Sequence, residues 1–160
     1  GRDSDWRCIC MNITFKPVTE ENRAEVLKLK VGKEQEHFIE SVQQCLEEAD
    51  QRKSWRPVGI YHGEELVGFA MYGFFWEYFP AGRVWMDRLL IDKRHQGKGY
   101  GKAALQMLLK RLTEEYRRKK IYLSVIEGNH AAAGMYQKAG FQFTGRRDLH
   151  GERIMVWKRP

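Results

Sequence analysis

The sequence predicts an α/β fold whose central sheet is mixed and mostly antiparallel. Apolar runs bounded by turn-forming residues mark two antiparallel hairpins, one early in the sheet and one at its end. Between the hairpins, a strand, a long helix and another strand follow one another once. A doubly wound parallel sheet would alternate strands and helices throughout, so the hairpins argue against it. The predicted strands of these units are residues 58–61, 66–72, 84–91, 121–125, 141–145 and 153–157.

The N-terminal part predicts one more strand and two helices. Residues 12–18 alternate between apolar and polar, which is typical of a half-buried strand. Thr19 is the predicted N-cap of a helix whose apolar face carries Val26, Leu27 and Val31. After a break, the helical spacing of Ile39, Val42 and Leu46 predicts a second helix. We expect residues 11–160 to form one domain and residues 1–10 to be an expression tag or an upstream extension.

Composition narrows the possible classes of function. The 160 residues carry 28 basic and 21 acidic side chains, a formal charge of +7, which suits nucleic acid, an anionic membrane or an anionic cofactor. The one basic run, residues 117–120, ends a predicted helix, where it complements the helix dipole. Three cysteines and five histidines show neither disulfide nor metal-ligand spacing, so we expect a reduced cytoplasmic protein without a metal. No apolar run approaches the length of a membrane span.

A glycine-rich loop follows the strand at residues 84–91. Its three glycines let the backbone approach a ligand closely and adopt positive φ angles. A helix begins directly after it, so unpaired N–H groups and a positive dipole end favour phosphate there. The loop therefore predicts an anion site that suits a pyrophosphate. The glycines are Gly97, Gly99 and Gly101, and Lys98 and Lys102 between them add positive charge.

Three patterns compete for this loop. A Walker loop fails because Gln96 stands where a glycine is required and Ala103 stands where a hydroxyl should hold magnesium. A dinucleotide fingerprint fits at Gly99 and Gly101, with Glu127 as a candidate ribose-binding acid. The third pattern is Gln96-x-x-Gly99-x-Gly101 after an apolar strand. The glycines alone leave the second and third patterns open.

A second block decides between them. Residues 129–141 read Asn-x-x-Ala-x-x-x-Tyr-x-x-x-Gly-Phe, for which dinucleotide enzymes have no counterpart. In this order and separation, the loop and the block resemble the GCN5-related N-acetyltransferases, the GNAT family. The resemblance extends from about Ile13 to Trp157. It implies a mostly antiparallel sheet of roughly six to seven strands flanked by about four helices, acetyl-CoA as cosubstrate, and a homodimer.

The resemblance also implies which residues hold the cosubstrate. In the family, backbone N–H groups of the loop bind the pyrophosphate, and the pantetheine arm pairs like an extra strand with the preceding strand. A backbone N–H at Leu90 or its neighbour then faces the thioester oxygen, and the asparagine of the second block contacts the pantetheine. The residues so implied are Leu89, Leu90, Ile91, Gln96, Gly97, Lys98, Gly99, Tyr100, Gly101, Lys102, Asn129 and Lys138.

Two residues are candidates for catalysis. Tyr136 occupies the family's general-acid position, with its hydroxyl near the sulfur; without the motif it would be read as a core tyrosine on an amphipathic helix. Asp87 is a candidate base because strand alternation places it on the same face as Leu89 and Ile91. Since aspartate is shorter than the glutamate usual in polyamine acetyltransferases, we expect a bridging water. A structural salt bridge with a neighbouring arginine explains Asp87 equally well.

Acidic residues from three segments are expected to meet at the acceptor side. Several carboxylates along a groove suit a chain of ammonium groups, and residues 35–38, 68–73 and 91–103 are similar to bacterial spermine/spermidine (diamine) N-acetyltransferases. The predicted acceptor is therefore a polyamine, with another small amine or a peptide amine as the alternative. Candidate substrate-binding residues are Glu34, Glu36, His37 and Glu77, together with Asp87, whereas Glu40, Glu47 and Glu48 are interpreted as solvated helix-end acids.

A different class of function also stays open. A basic protein of this size could bind acetyl-CoA as a regulatory or nucleic-acid-binding module without turnover. Such a module would need neither Tyr136 nor an acceptor cleft. We therefore expect an enzyme, with no nucleic-acid or membrane partner.

Overall fold

The computed structural model describes residues 12–31, 41–78 and 80–160, and these contain one seven-stranded sheet. The strands are β1 (Ile13–Pro17), β2 (Trp55–His62), β3 (Glu65–Phe75), β4 (Arg83–Ile91), β5 (Lys120–Val125), β6 (Gln142–Arg147) and β7 (Arg153–Lys158). The α-helices of the described residues are α1 (Arg23–Val26), α2 (Val42–Gln51), α3 (Tyr100–Tyr116) and α4 (His130–Lys138). None of them combines the length and apolarity that a membrane span requires.

The sheet is mixed, as predicted. Its strands lie in the order β1-β2-β3-β4-β5-β7-β6, and every neighbouring pair is antiparallel except β4 and β5. That parallel pair belongs to the single β4–α3–β5 unit, because a crossover through a helix returns the chain in the same direction. The doubly wound alternative, and with it the dinucleotide interpretation of the loop, is wrong for this topology.

The first helix is much shorter than the sequence predicts. α1 covers four residues and begins after Asn22, not after Thr19. The hydroxyl of Thr19 accepts a hydrogen bond from the N–H of Glu21 at 3.3 Å, so it serves a turn ahead of the helix. Leu27, predicted on the apolar face, is 42% exposed, whereas Leu29 is buried. A helix this short depends on tertiary packing, which the local pattern does not contain.

The second helix, α2, begins directly after a cap at Ser41. Ser41 forms a capping box, in which its hydroxyl accepts from the N–H of Gln44 at 3.1 Å and its N–H donates to the Gln44 side chain at 2.8 Å. The predicted core positions Val42 and Leu46 are buried. Ile39, also predicted for this helix, lies outside the described residues.

The sheet carries a core cluster on each face. The larger cluster joins α3 and α4 to one face and includes Leu89 and Ile91 of β4. The smaller cluster joins α2 to the other face and includes Leu90 of β4 and Cys45 of the helix. Successive residues at the end of β4 thus alternate between the clusters, as a pleated strand requires.

A β-bulge in β4 interrupts this alternation. Tyr72 of β3 pairs with Met86, but the preceding residue, Met71, pairs with Arg88, so Asp87 is the extra residue. The Asp87 carboxylate lies 4.0 Å from the Sγ of Cys45, on the α2 side of the sheet. The prediction that Asp87 shares a face with Leu89 and Ile91 is therefore wrong. Alternation holds only within an unbroken ladder, and the sequence carries no signal for the bulge.

β4 and β5 separate soon after they begin to pair. Their ladder contains only Val84 with Ile121 and Trp85 with Tyr122, whereas β4 continues to pair with β3 as far as Ile91. From Leu123 onward, β5 pairs with β7 alone in the part of the chain that the structure describes. The two strands therefore splay apart and leave one backbone edge of β4 open beside the core.

Candidate active site

A cavity of about 770 Å³ occupies the splayed region between β4 and β5. Its volume suits a cofactor-sized or drug-sized molecule. The floor is the second half of β4, which includes the predicted cofactor-binding residues Leu89, Leu90 and Ile91. One end is closed by the glycine loop, and the other end reaches α2 and the end of β3. Further wall residues come from the end of β5, from α4 and from the β6–β7 hairpin.

The glycine loop has the backbone geometry that the sequence predicts at two of its three glycines. Gly97 and Gly99 have φ angles of 80° and 86°, in the left-handed region where a Cβ is unfavourable. Gly99 is also the residue immediately before α3, so it turns the chain into the helix. Gly101 differs, because it lies in the first turn of α3 without a positive φ. All three line the cavity, which places the N-terminus of α3 at its end.

Side chains on both sides brace this loop. Gln96 donates from Nε2 to the carbonyl oxygen of Ile91 at 3.0 Å and so ties the loop to the end of β4. The Tyr100 hydroxyl lies 3.2 Å from the Nδ1 of His62 at the end of β2. His95 is buried, and its Nε2 lies 3.4 Å from a Glu65 carboxylate oxygen. Gln96 and Tyr100 are thus predicted cofactor residues that also fix the conformation of the loop.

Asp92 adds an anchor directly after β4. It is 2% exposed, and its carboxylate accepts from the N–H of Lys30 at 3.0 Å and from the Nε of Arg94 at 2.9 Å. Burial alone would raise the pKa of Asp92, but these hydrogen bonds and the Arg94 charge outweigh it and hold the pKa below its usual value. The start of the loop is therefore held by an ionised carboxylate.

Three lysines predicted to bind the cofactor are exposed and lie outside the cavity wall. They are Lys98, Lys102 and Lys138. Their ammonium groups can act on an anion at the loop through charge at a distance, not through the wall contacts of the cavity. The wall residues of the loop end are the three glycines together with His95, Gln96 and Tyr100.

The second sequence block forms the opposite wall. The Asn129 side chain accepts from the N–H of Ala132 at 3.3 Å and thereby caps α4, while the residue also lines the cavity. Tyr136, which lies further along α4, is 8% exposed and lines the cavity as well. Its ring packs edge-to-face on Phe141 at a centroid distance of 5.6 Å. The predicted tyrosine is thus both a core residue and a residue of the cavity wall.

The environment of Tyr136 keeps its phenol protonated. The pKa of Tyr136 is raised to about 12, mainly by burial; the positive charge of Arg88 opposes this rise, and the charge of Asp87 adds to it. A phenol with this pKa is neutral throughout the physiological range. Tyr136 can therefore donate a proton, but it cannot serve as a base near neutral pH.

Asp87 lies on the cavity wall, and its charge acts on Tyr136. The bulge turns it toward Cys45 and α2, which are next to the end of the cavity that lies opposite the glycine loop. β-bulges commonly redirect a side chain next to an active site. The Asp87 carboxylate thus reaches the cavity because of the bulge, and not because of regular strand alternation as predicted.

The far end of the cavity combines acidic and aromatic side chains. Glu77 lines this end and forms an ion pair with Arg52, the residue that follows α2. The Arg52 guanidinium also lies over the ring of Phe75 at 4.5 Å, and Trp55 packs edge-on against the same ring at 4.6 Å. Glu48, interpreted from the sequence as a solvated acid, is exposed, and it lines this end too. Of the predicted acceptor residues, Glu34, Glu36 and His37 lie outside the described residues.

The β6–β7 hairpin supplies a wall that the sequence analysis missed. Asp148, His150 and Glu152 line the cavity, and the exposed Leu149 lies at the tip. The Asp148 carboxylate accepts from the N–H groups of His150 and Glu152, each at 2.9 Å. Burial would raise the pKa of Asp148, but the hydrogen bonds that the carboxylate accepts outweigh burial and lower it. Asp148 followed within three residues by glycine was a turn signal, but nothing local indicated that this turn meets the cavity.

Glu127, the candidate ribose-binding acid, has a different role. It is exposed, lies outside the cavity wall, and forms an ion pair with Arg147 at 3.1 Å. The hydrogen bond and charge of Arg147 lower the pKa of Glu127. The ion pair links the segment after β5 to the end of β6.

Comparison with known proteins agrees with this geometry. Residues 19–141 match the model of the acetyltransferase (GNAT) family. The chain is 50% identical over 149 residues to a spermine/spermidine N(1)-acetyltransferase of Bacillus subtilis strain 168, covering 91% of this chain and 98% of that protein. An L-methionine sulfoximine/L-methionine sulfone acetyltransferase of Pseudomonas aeruginosa is 30% identical over 95 residues, covering 58% of this chain and 54% of that protein.

Solved structures share the fold. A spermidine N-acetyltransferase from Vibrio cholerae, in complex with CoA and spermine, superposes with a TM-score of 0.69 at 16% identity, covering 93% of this chain and 96% of that chain. An aminoglycoside acetyltransferase, AAC(6')-Ib, in complex with coenzyme A, gives a TM-score of 0.76 at 21% identity, covering 92% and 95%. At these identities the similarity concerns the fold alone.

Proposed function

The chain belongs to the acetyltransferase (GNAT) family, and we propose that it transfers an acetyl group from acetyl-CoA to a primary amine of a polyamine. One observation carries this proposal. A single cavity joins a glycine loop at a helix N-terminus, an open strand edge and a buried neutral tyrosine to an end that carries carboxylates. The first three features suit a thioester of a phosphorylated cofactor, and the last suits a cationic acceptor.

The cofactor end is proposed to bind acetyl-CoA mainly through backbone groups. The edge of β4 that β5 leaves unpaired, at Leu89, Leu90 and Ile91, offers strand-like hydrogen bonds to the amides of the pantetheine arm. The glycine loop and the first turn of α3 offer N–H groups to the pyrophosphate. A Cβ built on Gly97 would meet no atom within 4 Å, so the backbone there is open to a ligand.

The chemical step needs a base for the amine and an acid for the thiolate. The amine enters as an ammonium ion, and Asp87, acting through a water molecule, takes one proton from it. The neutral nitrogen then attacks the thioester carbonyl carbon and, as the C–N bond forms, releases a second proton to water. The C–S bond breaks, and Tyr136 donates its phenolic proton to the departing sulfur. Solvent returns a proton to Tyr136 and removes one from Asp87, so that each turnover releases one proton net.

The raised pKa of Tyr136 affects this donation. A thiol has a pKa of about 8.5, so a proton moves uphill from a phenol whose pKa is about 12. The Arg88 charge lowers the phenol pKa and so reduces this difference. Arg88 also lines the cavity, and we propose that it assists Tyr136 electrostatically.

The acidic end supports a polyamine as acceptor. Glu48, Glu77 and Asp87 line it, and each carboxylate can attract one ammonium group. The Bacillus subtilis relative, which is 50% identical to this chain over 149 residues, is named for spermine and spermidine, and this supports a polyamine as the acceptor. A cytoplasmic homodimer is part of the proposal as well, and it rests on the family resemblance.

The test measures thiol release from acetyl-CoA across spermine, spermidine, simple monoamines, an aminoglycoside, amino acids and a peptide. We expect spermine and spermidine to have the highest kcat/KM, and added salt to reduce that preference because the attraction is electrostatic. Glu36→Gln should raise KM for spermine by about tenfold and leave that for a monoamine nearly unchanged, since one ammonium–carboxylate contact is lost. Equal turnover of spermine and a monoamine, insensitive to salt and to Glu36→Gln, would contradict the polyamine assignment.

A further inference from the structure

Arg52 occupies the place where a cationic ligand would bind at the acceptor end of the cavity. Its guanidinium forms an ion pair with Glu77 and lies over the ring of Phe75 at 4.5 Å. Arg52, Glu77 and Phe75 all line the cavity. A carboxylate beside an aromatic face is the arrangement that binds alkylammonium groups, so the protein's own side chain already fills a cation subsite.

We propose that Arg52 is a built-in competitor for the distal ammonium group of the acceptor, and that Glu77 and Phe75 form the subsite that this ammonium takes over. The inference rests on the proposed function, because it assumes an acceptor with more than one amine. Both side chains of the ion pair are about half exposed, at 50% for Arg52 and 54% for Glu77. Exposed pairs of this kind are weak, so a substrate cation can displace the guanidinium.

The face of α2 sets the distance between the subsite and the reacting amine. Cys45 and Glu48 lie one turn apart on one face of α2, and Arg52, the extended residue directly after the helix, follows Glu48 by four residues. Cys45 is at the Asp87 end of this face, and Arg52 is at the Glu77 end. At the helical rise of about 1.5 Å per residue, the backbones of these two positions are roughly 10 Å apart.

This distance makes the subsite selective for length. An amine whose first nitrogen lies near Asp87 reaches Glu77 only if a second nitrogen follows after a long chain. A monoamine or a short diamine leaves Arg52 in place and gains nothing from its removal. A long diamine, spermidine or spermine must displace it, so Arg52 reduces the affinity for the very acceptors that fit best.

The experiment compares linear amines that differ in the distance between their nitrogens. Steady-state constants are measured for the unmodified protein and for Arg52→Ala with butylamine, diaminopropane, diaminobutane, diaminooctane and spermine. We expect Arg52→Ala to lower KM for diaminooctane and spermine by up to about fivefold, the most that an exposed ion pair contributes. KM for butylamine and diaminopropane should stay within error, and kcat should not change for any amine.

Matched variants separate this effect from a general change in charge. Arg23→Ala removes an arginine from an exposed ion pair with Asp50, at 3.1 Å, that lies outside the cavity wall, so it should leave all five KM values unchanged. Arg52→Gln keeps much of the side chain and should reproduce Arg52→Ala, even if alanine disturbs the end of α2. Glu77→Gln should raise KM for the long amines, and in its presence Arg52→Ala should have no further benefit.

The outcomes distinguish this inference from the function on which it rests. If neither protein acetylates any diamine or polyamine, the proposed function fails, and the inference fails with it. If polyamines are good substrates but Arg52→Ala and Arg52→Gln leave KM unchanged, raise it, or lower it equally for butylamine and diaminooctane, only the inference is overturned.

Discussion

The two ends of the cavity are built from different parts of the polypeptide. At the loop end, the wall residues come from one continuous segment that contains three glycines, two of them with positive φ, and that leads into the start of α3. At the acceptor end, the wall is side chains, contributed by α2, the end of β3 and the bulge in β4. The first end suits a ligand common to a whole family, and the second suits a ligand that varies.

This difference has a consequence for substitution. Backbone N–H groups cannot be replaced one at a time, so the loop end changes only when its conformation is lost. Carboxylates and aromatic rings can be exchanged singly, so the acceptor end can be tuned without loss of acetyl-CoA binding. Tyr136 and Asp87 are the proposed catalytic residues, and variants there separate chemistry from binding.

The largest effect is expected at Tyr136. Tyr136→Phe should lower kcat by about ten- to a thousandfold and leave acetyl-CoA affinity unchanged, because it removes a positioned proton donor but keeps the packing on Phe141. Since burial raises the pKa of Tyr136 to about 12, the phenol keeps its proton at lower pH. The variant should therefore reduce kcat equally at every pH below about 10, which a pH series of initial rates can check.

Tyr72→Phe is the matched control for this prediction. Tyr72 is also buried with a raised pKa, but its hydroxyl lies 3.3 Å from Glu115, outside the cavity wall. Loss of the Tyr72 hydroxyl should leave kcat nearly unchanged. An unchanged kcat in a well-folded Tyr136→Phe protein would make Tyr136 a core residue without a catalytic role.

The loop end is expected to respond next most strongly. Gly99→Val should weaken acetyl-CoA binding by about ten- to a hundredfold, because a branched side chain at a φ of 86° costs about 1–3 kcal/mol and shifts the loop. Gly145→Val is the control, since Gly145 has a φ of 83° but lies outside the cavity wall. Calorimetry should show weaker acetyl-CoA binding for Gly99→Val alone and no binding of NAD by the parent. Tight NAD binding without acetyl-CoA binding would overturn the cofactor assignment.

A smaller and different effect is expected at Asp87. Asp87→Asn should lower kcat by about tenfold and change the shape of its pH profile, because it removes the group that takes the amine proton. Tyr136→Phe, by contrast, should lower the profile without reshaping it. Rates measured from acid to alkaline pH for both variants make the comparison. If Asp87→Asn lowers thermal stability but leaves the pH profile unchanged, Asp87 is a structural partner in the bulge.

The sequence by itself determined the fold and the loop end of the site. Hairpins around one strand–helix–strand unit specified a mixed sheet, since hairpins and crossovers depend on local turns and short connections. The glycine loop and the block that ends in Phe141 could be predicted from the sequence because glycine conformation, helix starts and caps depend on adjacent residues. The family predicted from these two blocks is confirmed by the match over residues 19–141.

Only the tertiary structure decided the acceptor end. The bulge that turns Asp87 toward α2 arises from pairing with β3, and a register shift of this kind leaves no periodic mark in β4. Glu48 and Arg52 look like ordinary helix-end charges until α2 packs beside Glu77. The β6–β7 hairpin, likewise, reads as a simple turn until the sheet brings it over the cavity. Contacts between distant segments depend on how layers pack, and the local pattern of each segment does not contain that information.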